Sequence, residues 1–179
     1  MPENVALPFD LISTFESPLE LNINNQTWTI KLEEFEGDSK EYLWGGLYNE
    51  ESEVFRIFVN TNTKNVLRGI HGDYKTWKLV SCPFGEIEQV VVDLRSESPN
   101  FKKWIKFYLN QKNLKAILIP PGFGNAFCVN SNNALYHYKL AYDGKYNDFN
   151  KQFTYAWNDE TIGIDWSVKD PITSDRDMR

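Results

Sequence analysis

The sequence predicts an all-β fold, an antiparallel sandwich or barrel forming a single domain with at most a few short helices. Three observations point there. Apolar residues recur with period two, the spacing that puts alternate side chains on one face of a strand. Clusters of Gly, Pro, Asn, Asp and Ser divide these runs at short intervals. No stretch shows the alternation of strand and amphipathic helix that builds a parallel sheet. The 179 residues, 41% of them hydrophobic, are enough for one core without disulfide or metal staples.

Taken in order, QTWTIKLEEF (26–35), EYLWGGLY (41–48) and EVFRIFVN (53–60) are expected to be strands separated by turn-forming clusters. IEQVVVDLR (87–95) follows a Pro83-Phe84-Gly85 turn signal, and its β-branched Val90, Val91 and Val92 suit a mostly buried strand. NFKKWIKFYLNQKN (100–113) fits two patterns: Phe101, Trp104, Ile105 and Tyr108 share a helical face, whereas Ile105, Phe107 and Leu109 share a strand face. The Ser98-Pro99-Asn100 turn and the aromatic load favour the strand. KAILIPPGFGNAFCV (115–129) reads as a strand, a Pro-Pro-Gly turn and a second strand. In ALYHYKLAYDG (134–144), Tyr136, Tyr138 and Leu140 lie on one face and Leu135, His137, Lys139 and Ala141 on the other, before an Asp143-Gly144 turn.

Composition narrows the function. Twenty-five acidic against nineteen basic residues give a net charge of -6, which argues against a general nucleic-acid or anionic-membrane binder. The start MPENVALPFDLISTF lacks the basic and apolar regions of a secretory signal, and no window has the run of apolar residues that a membrane span requires, so a soluble cytoplasmic protein is expected. Cys82 and Cys128, far apart and outside any CxxC, are expected to be buried thiols. The two histidines, His71 and His137, are too few and too distant for the clustered histidines of a metal-binding sandwich, and His137 lies on the strand face opposite Tyr136 and Tyr138. Neither a metal nor any other cofactor is expected.

His71 is then the one good candidate for an acid or base working near neutral pH. It sits in VLRGIHGD, between glycines that permit close backbone approach, three residues after Arg68 and near Lys78. Taken alone, a histidine in this setting is more often structural or exposed than catalytic. Trp44, Trp77, Trp104 and Tyr74 could stack on a base, but aromatics in a β-rich chain usually pack, and no base recognition is assigned to them.

Six ordered segments make the pattern specific: VLRGIHGD, KLVSCPFGEIEQVVVDLRSESPNF, LIPPGFGNAF, YHYKLAY, WNDETIGIDW and PITSDRD. Over residues 65–177 the chain resembles the nucleotide-sugar 3,5-epimerase family, the dTDP-4-dehydrorhamnose 3,5-epimerase-like cupins. The wording of GIHGD, PPGFGNAF and QFTYAWNDETIGIDW is most similar to the branch acting on GDP-linked 4-keto heptoses in capsule biosynthesis. The resemblance implies a metal-free jelly-roll homodimer. It also implies a cofactor-independent epimerase that inverts C-3, C-5 or both in a GDP- or dTDP-linked 4-keto sugar for bacterial surface polysaccharide.

The resemblance implies roles residue by residue. His71 corresponds to the base that removes a proton beside the 4-keto group, Asp177 to its carboxylate partner, and Tyr138 to the acid on the opposite face of the ring. Lys78 corresponds to the cation at the enolate oxygen. Arg68 corresponds to an arginine contacting substrate or its phosphates. Arg176 stands where the family has a lysine and is expected near the diphosphate. Asn125 stands where the family has a histidine, and Lys40 where it has an arginine, and both are expected to bind substrate. Without the resemblance, Tyr138 reads equally as a packing residue, Lys78 as an exposed strand lysine and Asp177 as a terminal acid. One domain is expected over 1–179, with residues 1–60 divergent and contributing to dimer exchange. A 3,4-ketoisomerase of the same fold and a non-catalytic nucleotide-sugar-binding jelly roll are the competing readings.

Overall fold

A computed structural model describes the backbone of residues 19–23, 26–30, 33–35, 41–48, 53–142 and 149–178, and side chains over 62–142 and 150–178. Among the described residues, thirteen strands make two facing sheets. They are β1 Leu19–Ile23, β2 Gln26–Ile30, β3 Glu33–Phe35, β4 Glu41–Tyr48, β5 Glu53–Thr63, β6 Leu67–Gly72, β7 Trp77–Phe84, β8 Glu86–Asp93, β9 Trp104–Asn110, β10 Ala116–Ile119, β11 Phe123–Val129, β12 Asn133–Ala141 and β13 Phe153–Tyr155. The larger sheet runs β1-β2-β4-β5-β12-β7-β10, with β3 also pairing β4, and the smaller runs β13-β6-β11-β8-β9. Every strand pair is antiparallel. The all-β jelly roll anticipated from sequence is the fold of the chain.

Alternation decides which side chains meet between the sheets. On β12, Ala134, Tyr136 and Leu140 are buried, while β7 contributes Lys78, Val80 and Cys82 to the same face. Of these, Ala134, Tyr136, Val80 and Cys82 meet Ile87 and Val91 of β8 and Phe127 and Val129 of β11, and Phe127 stacks on Tyr136 with ring centroids 4.0 Å apart. The opposite face of β8 presents Val90 and Val92 to a second core, roofed by Phe153, Tyr155, Ile162, Ile164 and Trp166. The smaller sheet is therefore covered on both sides, which is why β8 reads as a continuous apolar run. Full burial of an aliphatic side chain stabilises by about 1.5–3 kcal/mol, so these two layers supply the principal driving force for folding.

Most boundaries follow the expectations, with informative differences. The run 26–35 divides into β2 and β3. The ambiguous stretch 100–113 holds the strand β9 between two turns, and its Leu109 is buried between the sheets while Trp104 packs on the outer core. Between β10 and β11 the Pro-Pro-Gly turn places Gly122 at φ 82°, and its N–H donates to the Asp73 carbonyl at 2.8 Å. The Asp143-Gly144 turn and Lys40 lie outside the described residues, as does the side chain of Trp44. Among the described residues, no helix is long and apolar enough to cross a membrane.

Candidate active site

A one-residue irregularity in β6 builds the site. Opposite β11, Asn125 pairs with His71 and Phe127 with Arg68, so two steps on β11 face three on β6. The extra residue is a β-bulge. Arg68 and His71, which simple alternation would place on opposite faces, thereby share the face between the sheets. Gly72 projects the other way: a Cβ there would meet Phe153 on the outer face at 2.5 Å. Gly69, inside the bulge, has no side chain to hold Asp177 away. Its N–H donates to Asp177 Oδ1 at 2.7 Å, and a Cβ would lie 3.1 Å from that same oxygen.

Asp177 is fully buried in the short 3-10 turn Asp175–Met178 and accepts from every side. Oδ1 takes the Gly69 N–H and His71 Nε2 at 2.8 Å, and Oδ2 takes the Ser174 N–H at 2.9 Å and the Ser174 hydroxyl at 2.7 Å. Arg68 Nη1 adds a cation 3.7 Å from Oδ2. Burial opposes the charge, yet the hydrogen bonds from His71, Ser174 and Gly69 outweigh it and hold the carboxyl below the usual carboxylate range. Burial also lowers the imidazole of His71, helped by the cations of Arg176 and Lys78 and opposed by Asp177. The pair is thus a carboxylate accepting from a neutral imidazole, with the proton on Nε2 and the lone pair on Nδ1.

Lys78 is buried on the facing sheet, and its Nζ donates to the His71 carbonyl at 3.3 Å. Burial brings its ammonium down to about 8, Arg176 pushes the same way and Asp73 opposes. The exposed strand lysine of the alternative reading is excluded. Tyr138 is half-buried beside Tyr136, with centroids 5.5 Å apart, and pairs with Val80, which lies two positions along β7 from Lys78 on the same face. His137 lies on the other face, where its Nδ1 is 3.1 Å from Ser81 Oγ.

The remaining candidates separate. Arg176 is half-buried and binds Thr154 Oγ1 through Nε at 3.4 Å and Gln152 Oε1 through Nη2 at 2.9 Å, so its charge converges on His71 and Lys78. Asn125 faces the same interior, and its Oδ1 accepts from Gln89 Nε2 at 2.7 Å and from the Tyr136 hydroxyl at 3.1 Å. Of the four aromatics considered for stacking, Tyr74 and Trp77 are exposed and Trp104 packs on the outer core. Sequence reasoning missed Thr154 and Ser174. Thr154 pairs with His71 across β13 and β6, bringing its hydroxyl 3.3 Å from Nδ1. Only that register could have revealed it. Ser174, three residues before Asp177, was visible as a short polar spacing.

The geometry can be set beside known proteins. The family model described as dTDP-4-dehydrorhamnose 3,5-epimerase matches residues 33–179. The chain belongs to the dTDP-4-dehydrorhamnose 3,5-epimerase family. The family match begins upstream of the six motif segments. Among curated family members, the Shigella flexneri dTDP-4-dehydrorhamnose 3,5-epimerase is 39% identical over 123 residues, covering 65% of this chain and 65% of that protein. The Escherichia coli member is 38% identical over 122 residues, covering 66% and 64% respectively. This chain thus spans just under two thirds of these two relatives. Solved family members agree in fold. The Legionella pneumophila 3,5-epimerase, solved with dTDP-4-keto-L-rhamnose, superposes with TM-score 0.64 at 27% identity, covering 83% of this chain and 89% of its own. The Bacillus anthracis enzyme, solved with TDP and PPi bound, gives TM-score 0.64 at 28% identity, covering 82% and 96%.

Proposed function

We propose that the chain is a cofactor-independent epimerase, an isomerase that inverts C-3, C-5 or both in a nucleoside-diphosphate 4-keto sugar. One observation carries the reading: His71 Nε2 lies 2.8 Å from the buried, fully hydrogen-bonded Asp177, beneath a facing buried ammonium. In this reading His71 Nδ1 takes the proton from the carbon beside the ketone, and Asp177 stabilises the imidazolium formed. The electron pair moves onto the carbonyl oxygen, where Lys78 stabilises the enolate. Tyr138 returns a proton from the opposite face of the ring. Arg68, Arg176, Asn125 and Lys40 bind the nucleotide sugar.

The named relatives favour a dTDP-linked 4-keto-6-deoxyhexose, and the GIHGD wording keeps a GDP-linked 4-keto heptose in view. The protein would work in the cytoplasm, in surface-polysaccharide synthesis, as a homodimer. The outer face of the larger sheet supports a dimer, because Trp77, Leu79 and Leu118 are exposed there and Leu79 pairs with Leu118 across β7 and β10. Sedimentation in solution tests that part.

The activity is tested by incubating dTDP- and GDP-linked 4-keto sugars in deuterated water and following label at C-3 and C-5. Enzyme-dependent exchange is expected, lost in His71→Asn; Tyr138→Phe retains exchange and impairs inversion. Tight binding with no exchange would instead establish a non-catalytic binding module. A shifted carbonyl would establish the ketoisomerase.

A further inference from the structure

Among the described residues, two buried polar atoms where β6 turns into β7, Asp73 Oδ2 and Thr76 Oγ1, lack the partners that their burial demands. Asp73 follows Gly72 at the end of β6 and shares the inward face of His71, because Gly72 projects outward against Phe153. Its Oδ1 closes a turn, accepting from the N–H groups of Lys75 at 2.8 Å and Thr76 at 2.7 Å. Its Oδ2 is buried with no hydrogen-bond partner among the described residues, and so is the neighbouring Thr76 Oγ1. Lys78, whose ammonium carries three donors, makes one hydrogen bond among those residues, to the His71 carbonyl. The two charges feel one another, since Asp73 supports the protonated form of Lys78, but no hydrogen bond joins them.

An unpaired buried carboxylate oxygen and an under-used buried ammonium are costly unless something bridges them. The bridging group must accept from Lys78 and donate to Asp73, and a hydroxyl does both. We propose that Asp73 and Lys78 form a hydroxyl-binding seat that takes the sugar hydroxyl next to the ketone. The assignment deepens the epimerase reading and rests on it. Lys78 is already placed at the carbonyl oxygen, and a vicinal hydroxyl lies within reach of the same ammonium. The substrate class is therefore an α-hydroxy ketone, with Asp73 the residue that selects the hydroxyl.

The test compares a dTDP-linked 4-keto-6-deoxyhexose with its 3-deoxy analogue, reading deuterium exchange at C-5, which both retain, and binding by calorimetry. A hydrogen bond to a charged group is expected to give about 10- to 100-fold preference for the hydroxylated compound in the wild type. Asp73→Asn keeps the turn acceptor and replaces Oδ2 by a donor, so this preference should fall below about threefold. Equal preference in the wild type and a folded Asp73→Asn would overturn the seat and leave a site for water alone. Should that variant not fold, a wild type binding both compounds equally overturns it. Preferential binding without exchange would keep the seat and sink the epimerase.

Discussion

His71 and Asp177 are 106 residues apart in the chain, yet Nε2 and Oδ1 stand 2.8 Å from one another at the end of β6. The carboxylate is shared among five donors' worth of attention from the Gly69 N–H, the Ser174 N–H and hydroxyl, His71 and, more distantly, Arg68. Replacing it by an amide, Asp177→Asn, turns one acceptor into a donor facing donors. Exchange should fall by about 10² to 10⁴, and stability by about 1–3 kcal/mol. Exchange kinetics and denaturant unfolding on one preparation check both.

Gly69 is the point of closest approach. A methyl group there would sit 3.1 Å from Asp177 Oδ1 and 3.2 Å from its Cα and Cβ, so the short turn carrying Asp177 must shift. Gly69→Ala should cost at least about tenfold in kcat because the dyad loses its alignment. Stability should change by less than about 1.5 kcal/mol, since Asp177 need give by only a few tenths of an ångström. Wild-type kcat in this variant would show that the turn adjusts freely.

In the proposed mechanism the base must be neutral and the cation at the enolate oxygen charged, so kcat/KM should be bell-shaped. His71 is held below its ordinary 6.5, and activity should rise with pH through that lower value. Lys78 titrates near 8, and activity should fall above it. Thr154 bears on the acid limb alone. Its oxygen accepts from Arg176, which directs its own proton to Nδ1 and favours the neutral ring. Thr154→Val removes that donor, so the acid limb should move to higher pH, and Thr154→Ser should restore it. A pH profile of the three proteins checks this.

Lys78 serves the proposed chemistry at a cost to the fold. Lys78→Met keeps the volume and removes a buried charge, and should abolish exchange while stabilising the protein by about 1–2 kcal/mol at pH 7. The sign with pH follows. Lys78 titrates near 8 when folded and near 10.5 when unfolded, so the unfolded chain binds more protons between those values. Wild-type stability should therefore rise across that window, and the advantage of the variant should shrink. Thermal unfolding from pH 7 to 10.5 measures it.

Much of this was legible from the chain. Period-two alternation reveals β12, the β-branched run Val90, Val91 and Val92 reveals β8, which is buried on both faces, and the Pro-Pro-Gly turn marks the start of β11. His71, Lys78, Tyr138 and Asp177 are legible through the ordered motifs. The bulge was not, because nothing in RGIH states that Arg68 and His71 share a face. That depends on a two-against-three pairing with β11. Thr154 was hidden for a similar reason, since its contact with His71 comes from the register of a three-residue strand. Asn125 was expected at the substrate, but the Gln89 and Tyr136 bonds to its oxygen are tertiary facts that no local pattern encodes. Asp73 carried no role in the sequence reading: one of its oxygens closes a turn, and the burial of the other is a tertiary fact.

The bulge in β6 also sets which changes of chain length the site can absorb. Removing one residue between Arg68 and His71 would restore plain alternation with both still on the inner face, but it would take away either Gly69, whose N–H donates to Asp177, or Ile70 of the outer core. Lengthening the turn after Asp73 leaves the pairing of β6 untouched, because that turn connects two different sheets. Insertions and deletions in relatives that keep this chemistry should therefore cluster between Asp73 and Trp77 and spare the six residues before them.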